Sequence, residues 1–265
     1  MLKALARPVW RYRGFIMGNV KREFQSKYRN SLLGAAWNVL NPLAMILVYT
    51  IIFAQVMKTR MPGTGSTFGY SIYLCAGVLT WGYFAEIAGR AQNVFLENAN
   101  LLKKISFPRL CLPVVVVANA SVNFAIVFGL FTLFLLLSGN FPGWPYLALV
   151  PVLGIMVLFS IGLGITLGVL NVFFRDVGQF FGIVMQFWFW LTPVVYNENI
   201  LPERARKLLE FNPMSAIVVA CQRILLSKQW PQWHELWFVT LLAILFCFLG
   251  LYLFRRHAGE MVDEL

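Results

Sequence analysis

The chain has 265 residues, of which 59% are hydrophobic and only 12% charged, and its mean hydropathy is +0.70. Soluble domains carry roughly 25% charged residues, so a water-borne globular domain is excluded and an integral membrane protein is expected. The net charge of +11 comes from bases that flank apolar runs; no basic patch is joined to a soluble reading fold, which argues against nucleic acid as a partner.

The apolar residues fall into six runs, most of about 20 residues, the length a helix needs to cross a hydrocarbon core. Backbone amides at that depth must be bonded within the segment, so each run reads as a transmembrane helix. The expected spans are 37–57, 70–88, 112–137, 146–174, 177–195 and 237–254. The fourth is long enough to be tilted, or bent at Pro151. The predicted fold is therefore an all-α polytopic membrane protein: a cytoplasmic segment 1–35, a six-span membrane domain 36–254 and a tail 255–265.

In chain order, the first feature is Tyr12, Ile16, Val20, Phe24 and Tyr28 at i+4 spacing among arginines and lysines. That pattern predicts an amphipathic helix lying in the membrane interface, its aromatic stripe in the acyl boundary and its bases near lipid phosphates. It serves either as an anchor or as a collar against the bundle or a lipid-linked substrate. This basic segment lacks a continuous apolar core, so no cleavable signal peptide is expected. Glu86 is the one carboxylate inside a predicted span; it faces a cavity, meets Arg90 one turn on, or lies at a helix-end surface.

Residues 93–105 form a second amphipathic stretch, with Val94, Leu101 and Ile105 on one face and Glu97, Lys103 and Lys104 nearby, closed by Pro108 and Pro113. A polar, capped helix between two spans is well placed to dock a partner. Small residues recur four apart at Gly164 and Gly168 and at Gly178 and Gly182, which predicts close helix packing within one chain or between two. Aromatic side chains cluster at Trp81, Tyr83 and Phe84 in span two, and at Phe187, Trp188, Phe189, Trp190 and Tyr196 around the end of span five. They read as an interfacial aromatic belt or as a stacking surface for sugar rings; Trp37, heading span one, joins the substrate-path candidates.

The connection 196–233 is the longest. Its apolar part, 216–226, has 11 residues, too few to cross, which predicts a re-entrant or interfacial gate segment following Pro213. Cys75, Cys111, Cys221 and Cys247 lack any CxxC spacing and read as buried small hydrophobes. Fifteen lysines and arginines fall on the side of the N-terminal segment, the second-to-third loop, the fourth-to-fifth loop and the tail, against seven on the other. Both termini are thus expected in the cytoplasm.

No GxxxxGKS/T loop is present, so ATP is not expected to be bound by a P-loop of this chain. His234 and His257 are the only histidines and fall on opposite membrane faces, which leaves no HExxH zinc site. Neither a nucleophile elbow nor a carboxylate pair stands out. No catalytic residue, cofactor or metal is therefore assigned, and transport, anchoring or assembly remains. Ion-coupled transport would ordinarily need more buried carboxylates than Glu86.

Several motifs together resemble the membrane subunits of ABC-2 type exporters, the polysaccharide and polyol-phosphate permeases of O-antigen and capsule. They are YRNSLLG at 28–34 running into WNVLNPL at 37–43, NLLKKISFPR at 100–109, NVFFRDV at 171–177, LTPVVY at 191–196 and FNPMS at 211–215. The resemblance implies a homodimer in the bacterial inner membrane, joined to two copies of a separate ABC ATPase that holds ATP and Mg, and a channel for a lipid-linked polysaccharide. It implies further that Asn100, Leu101, Leu102, Lys103, Lys104, Phe107 and Arg109 belong to the coupling helix seated in the ATPase. Arg175 and Asp176 would mark the cytoplasmic end of spans four and five, while Asn212 and Pro213 would open the outward gate. Rival readings are an ABC-2 exporter of other cargo (teichoic acid, capsule, lipid or drug), a membrane-embedded glycan-modifying enzyme, and a structural assembly subunit.

Overall fold

The computed structural model describes residues 12–26, 68–104, 111–198 and 202–264, with isolated positions at 40, 43–45, 47–48 and 51. Among these residues all regular structure is helical: α1 (Arg13–Ser26), α2 (Gly69–Glu97), α3 (Ala99–Lys104), α4 (Cys111–Leu137), α5 (Leu149–Phe173), α6 (Asp176–Leu191), α7 (Glu203–Leu209), α8 (Pro213–Ser227), α9 (Trp237–His257) and α10 (Glu260–Glu264). Short 3₁₀ turns, Trp144–Ala148 and Trp233–Leu236, lead into α5 and α9.

Four helical stretches are long and apolar enough to cross a membrane: Gly69–Glu97, Cys111–Leu137, Trp144–Phe173 and Trp233–His257. They coincide with expected spans two, three, four and six. The first expected span lies largely outside the described residues. The fifth is shorter than 177–195, because α6 stops at Leu191 after 16 residues. Thr192 precedes Pro193 and takes extended backbone angles (φ −102°, ψ 136°), as a residue before proline does.

Other boundaries move for equally local reasons. Ala91, Val94 and Phe95 continue the buried face of α2, so the helix runs past 88 and takes over the first turn of the stretch expected at 93–105. Asn98 then ends it, its Nδ2 donating back to the Val94 carbonyl (2.8 Å), and only α3 remains separate. Pro151 lies in the first turn of α5, directly after the 3₁₀ turn, where no intrahelical amide bond is lost.

Helix α5 is the axis of the bundle, packed most extensively against α9 and α2. Glycine makes both seams possible. A Cβ on Gly162 would lie 2.6 Å from the backbone nitrogen of Cys247, and one on Gly164 would lie 2.4 Å from the Ala91 Cβ. Gly168 faces the Ala91 carbonyl at 2.9 Å in the same way. The spacing at 164 and 168 is therefore an intrachain packing device. The pair at 178 and 182 is different. Gly178 donates its amide to Asn171 Oδ1 (3.0 Å) and leaves no room for a Cβ, while Gly182 has nothing within 4 Å.

Two apolar clusters fill the interior. The larger includes Ile72, Phe84, Phe131, Met156, Phe159, Met214, Ile217 and Ile224. The smaller joins Phe95, Leu102, Leu112, Val172, Phe254 and Met261 near α3. Residues 255–257 complete α9, and α10 tucks Met261 back into this second cluster. All four cysteines are free thiols, with Cys75, Cys111 and Cys221 buried.

Candidate functional site

The parallel run of α2, α5 and α9 gives the bundle two ends, one carrying α3 and the other α8. At the α3 end, Leu102 is 6% exposed and packed in the smaller cluster, while Leu101 is half-buried beside it. Asn100 and Lys103, one turn apart, face outward. The backbone of Lys104 ends α3; Phe107 and Arg109 lie outside the described residues. The surface that α3 offers a partner is thus polar and basic, and its apolar side is occupied by the protein itself.

Arg175 and Asp176 lie exposed at the same end, in the junction between α5 and α6. Asp176 opens α6, where a carboxylate complements the helix dipole. The junction is held by a residue that the sequence offered only as the first of the NVFFRDV motif, with no role assigned to it. Buried Asn171 donates its Nδ2 to Asn93 Oδ1 (3.0 Å) and the Gln92 carbonyl (3.3 Å), and its Oδ1 takes the Gly178 amide. The signal was an asparagine in an otherwise apolar span, a residue that must find partners when buried.

Glu86 meets Arg90 (Oε1 to Nη1, 3.6 Å), one of the arrangements expected for it, and also accepts from Asn123 Nδ2 (3.0 Å). Glu23 of α1 pairs with the same Arg90 and takes a hydrogen bond from Asn119. The amphipathic helix is therefore fastened to α2 and α4, as a collar would be. These ion pairs are partly solvent-exposed, so each stabilises by at most ~1 kcal/mol.

The aromatic candidates divide sharply. Trp81, Tyr83 and Phe84 are buried. Trp81 meets Phe84, Trp188 and Phe189 edge-on, Phe84 stacks on Phe159, and Tyr83 stacks on Phe124 at 4.2 Å with its hydroxyl 2.6 Å from Ser121 Oγ. Their faces are used by one another. Phe187 and Trp190 are each 66% exposed and share an open apolar face of α6 with Phe180 and Ile183. Trp37 lies outside the described residues.

At the α8 end, Asn212 ties three elements together. Its Oδ1 accepts from Trp188 Nε1 (2.8 Å) and, as the N-cap of α8, from the Met214 amide (3.1 Å). Its Nδ2 donates to the Leu191 carbonyl and Thr192 Oγ1, both at 3.1 Å. Pro213 occupies the first helical position, where its missing amide costs nothing. The apolar stretch 216–226 forms most of α8, with Ile217, Val218, Cys221, Ile224 and Leu225 buried in the bundle. Tyr73 donates to the Tyr196 carbonyl (2.6 Å), Tyr70 to that of Val195 (2.7 Å), and Gln222 Nε2 to that of Pro193 (3.1 Å). The turn after α6 is clasped between α2 and α8.

Asn212→Ala removes the cap and leaves the indole N–H of Trp188 without its partner. A loss of about 2–4 kcal/mol is expected from the two effects together, read as a lower midpoint of thermal unfolding in detergent. Asn212→Asp keeps the acceptor for both bonds but sets a carboxylate oxygen against the Leu191 carbonyl, so it should recover only part of the loss.

Residues 15–226 match the ABC-2 type transporter family. The chain is 28% identical over 263 residues to the O-antigen export system permease protein RfbA of Myxococcus xanthus, covering 98% of this chain and 99% of that protein. It is 28% identical over 207 residues to RfbA of Klebsiella pneumoniae, 78% of each. Over 248 residues it is 21% identical to the polysialic acid transport protein KpsM of Escherichia coli, 92% of this chain and 93% of that one. With four membrane-length helices and a family match across most of its length, the chain belongs to the ABC-2 type transporter family.

Proposed function

We propose that this chain is the permease subunit of an ATP-driven exporter that moves a lipid-linked polysaccharide, O-antigen-like in character, from cytoplasm to periplasm. Two copies form the channel and two copies of a separate ABC ATPase supply ATP and Mg chemistry. The excess of lysine and arginine on the α3 side supports a cytoplasmic position for that end and for both termini. The observation that carries the reading is α3, held to the bundle by Leu102 while Asn100 and Lys103 stand free for a partner. The names of the relatives support a glycan as cargo. The open apolar face of α6, with Phe187, Trp190 and the uncovered Gly182, supports contact with a second copy along the path. Arg175 and Asp176 flank that helix on the cytoplasmic side, and Asn212 with Pro213 starts the outward gate.

The test is reconstitution. Permease alone in liposomes should hydrolyse no ATP. Permease with its co-expressed ATPase should move a fluorescent lipid-linked glycan inward to outward only with ATP and Mg. Nucleotide hydrolysis by the permease alone, or a covalent change in the glycan, would replace this reading with that of an enzyme.

A further inference from the structure

At the α8 end, a cavity of about 520 Å³ opens between α7, α8 and the start of α9. That volume falls within the range of about 300–1,000 Å³ usual for small-molecule sites. Two aromatic rings are presented there, Phe211 at 70% and Trp237 at 64% exposure. Both are braced by Phe238, which meets Phe211 edge-on at 6.2 Å and Trp237 at 5.7 Å. Carboxylates of Glu198, Glu210 and Glu235 share the wall with the donors Arg206 and His234. Glu235 is fixed by Arg223 (3.1 Å) and Arg206 reaches the Glu198 carbonyl (3.5 Å), so part of the polar rim is preorganised. Ser215, only 4% exposed, also lines the cavity, and its Oγ has no hydrogen-bond partner among the described residues.

We propose that this cavity is a saccharide-binding site on the outward face, taking an uncharged pyranose ring of the emerging glycan. The proposal rests on the export reading above and names a site for it. An interfacial aromatic belt alone does not explain the wall. A lipid tail seated here would strip water from three carboxylates without replacing their hydrogen bonds, and an anionic headgroup would meet them as like charges. A pyranose satisfies both halves of the surface: its C–H face lies on an aromatic ring, while its hydroxyls donate to carboxylates and accept from Arg206 or His234.

The test is saturation-transfer NMR on the full chain in nanodiscs, using methyl glycosides of glucose, galactose, mannose, rhamnose and N-acetylglucosamine as probes, with glycerol phosphate as the headgroup control. At least one glycoside should receive saturation on the ring protons of one face. Trp237→Ala and Glu210→Gln should each weaken its binding about tenfold, the ratio for losing one stacking or charge-assisted contact. Trp144→Ala, at an 80% exposed aromatic outside the cavity, should leave it unchanged. Should Trp237→Ala fail to fold, the isosteric Glu210→Gln change at an exposed position carries the test. Binding by no glycoside, undiminished binding in Glu210→Gln, or preference for glycerol phosphate would each overturn the site. Failure here with glycan export intact in the reconstituted complex removes this site alone. Absence of export with glycoside binding intact removes the export reading.

Discussion

Leu102→Asp is expected to leave little folded protein in the membrane, whereas Lys103→Glu at the next position leaves the permease folded and unable to retain its ATPase. The two side chains belong to one short helix but to different surfaces. Leu102 is packed among Phe95, Leu112, Phe254 and Met261, so a carboxylate there would be buried without a partner. Breaking the balance of a buried charge costs about 3–5 kcal/mol, a large share of the roughly 5–15 kcal/mol that holds a folded domain. Lys103 is exposed, and surface changes usually alter stability by no more than about 0.5 kcal/mol. Membrane yield and thermal unfolding would report the first change, and co-purification of the ATPase the second. Asn100→Asp should act like Lys103→Glu, more weakly. Normal yield of Leu102→Asp with the ATPase lost would mean that the leucine inserts into the partner after all.

Gly162→Ala is expected to lower the unfolding midpoint clearly, and Gly162→Leu to prevent assembly of the bundle. The added Cβ would lie 2.6 Å from the Cys247 nitrogen and 2.9 Å from the Phe246 carbonyl carbon. Those are backbone atoms, which cannot rotate away, so α5 and α9 must separate. Overpacking of this kind costs about 1–3 kcal/mol for the smallest change, and separation also stretches the Thr166 hydroxyl bond to the Phe246 carbonyl, already 3.3 Å long. Gly154→Ala, on the same helix, is the contrast: among the described residues nothing lies within 4 Å of its added Cβ, and the midpoint should not fall. Circular dichroism melts of the three variants in one detergent decide it.

Four spans were readable in the sequence because a bilayer imposes a length on apolar helices that water-soluble folds do not share. The Gly164 and Gly168 seam was readable for a related reason, since helix approach in lipid depends on small side chains. Gly178 also packs closely, against the side-chain amide of Asn171 on α5, but spacing alone does not reveal which atom a glycine meets. The inward side of Leu102 was hidden for a reason of topology. The cluster that takes it in includes Phe254 and Met261 from the far end of the chain, and no local periodicity contains them. Trp81 and Phe84 are apolar whether they line a path or fill a core, so only their partners Phe159 and Trp188 separate the two. Asn212 was visible as part of the FNPMS motif, but neither its cap on α8 nor its bond to Trp188 was. The cavity at the α8 end draws on residues 198 to 238 across three helices, which a linear reading treats as one loop.

Helix α2 runs for 29 residues without a break, from Tyr70 and Tyr73, which grip the turn after α6, to Phe95, which touches the cluster around Leu102. Mechanically it is a single rod about 43 Å long, joining the surface offered to the motor to the segment proposed as the gate. A tilt of about 5° applied at one end of such a rod displaces the other by almost 4 Å, comparable with the width of a hydrogen-bonded contact. Under the export reading proposed above, a stroke delivered at α3 would reach the far end of α2 by leverage, without a relay of side-chain rearrangements.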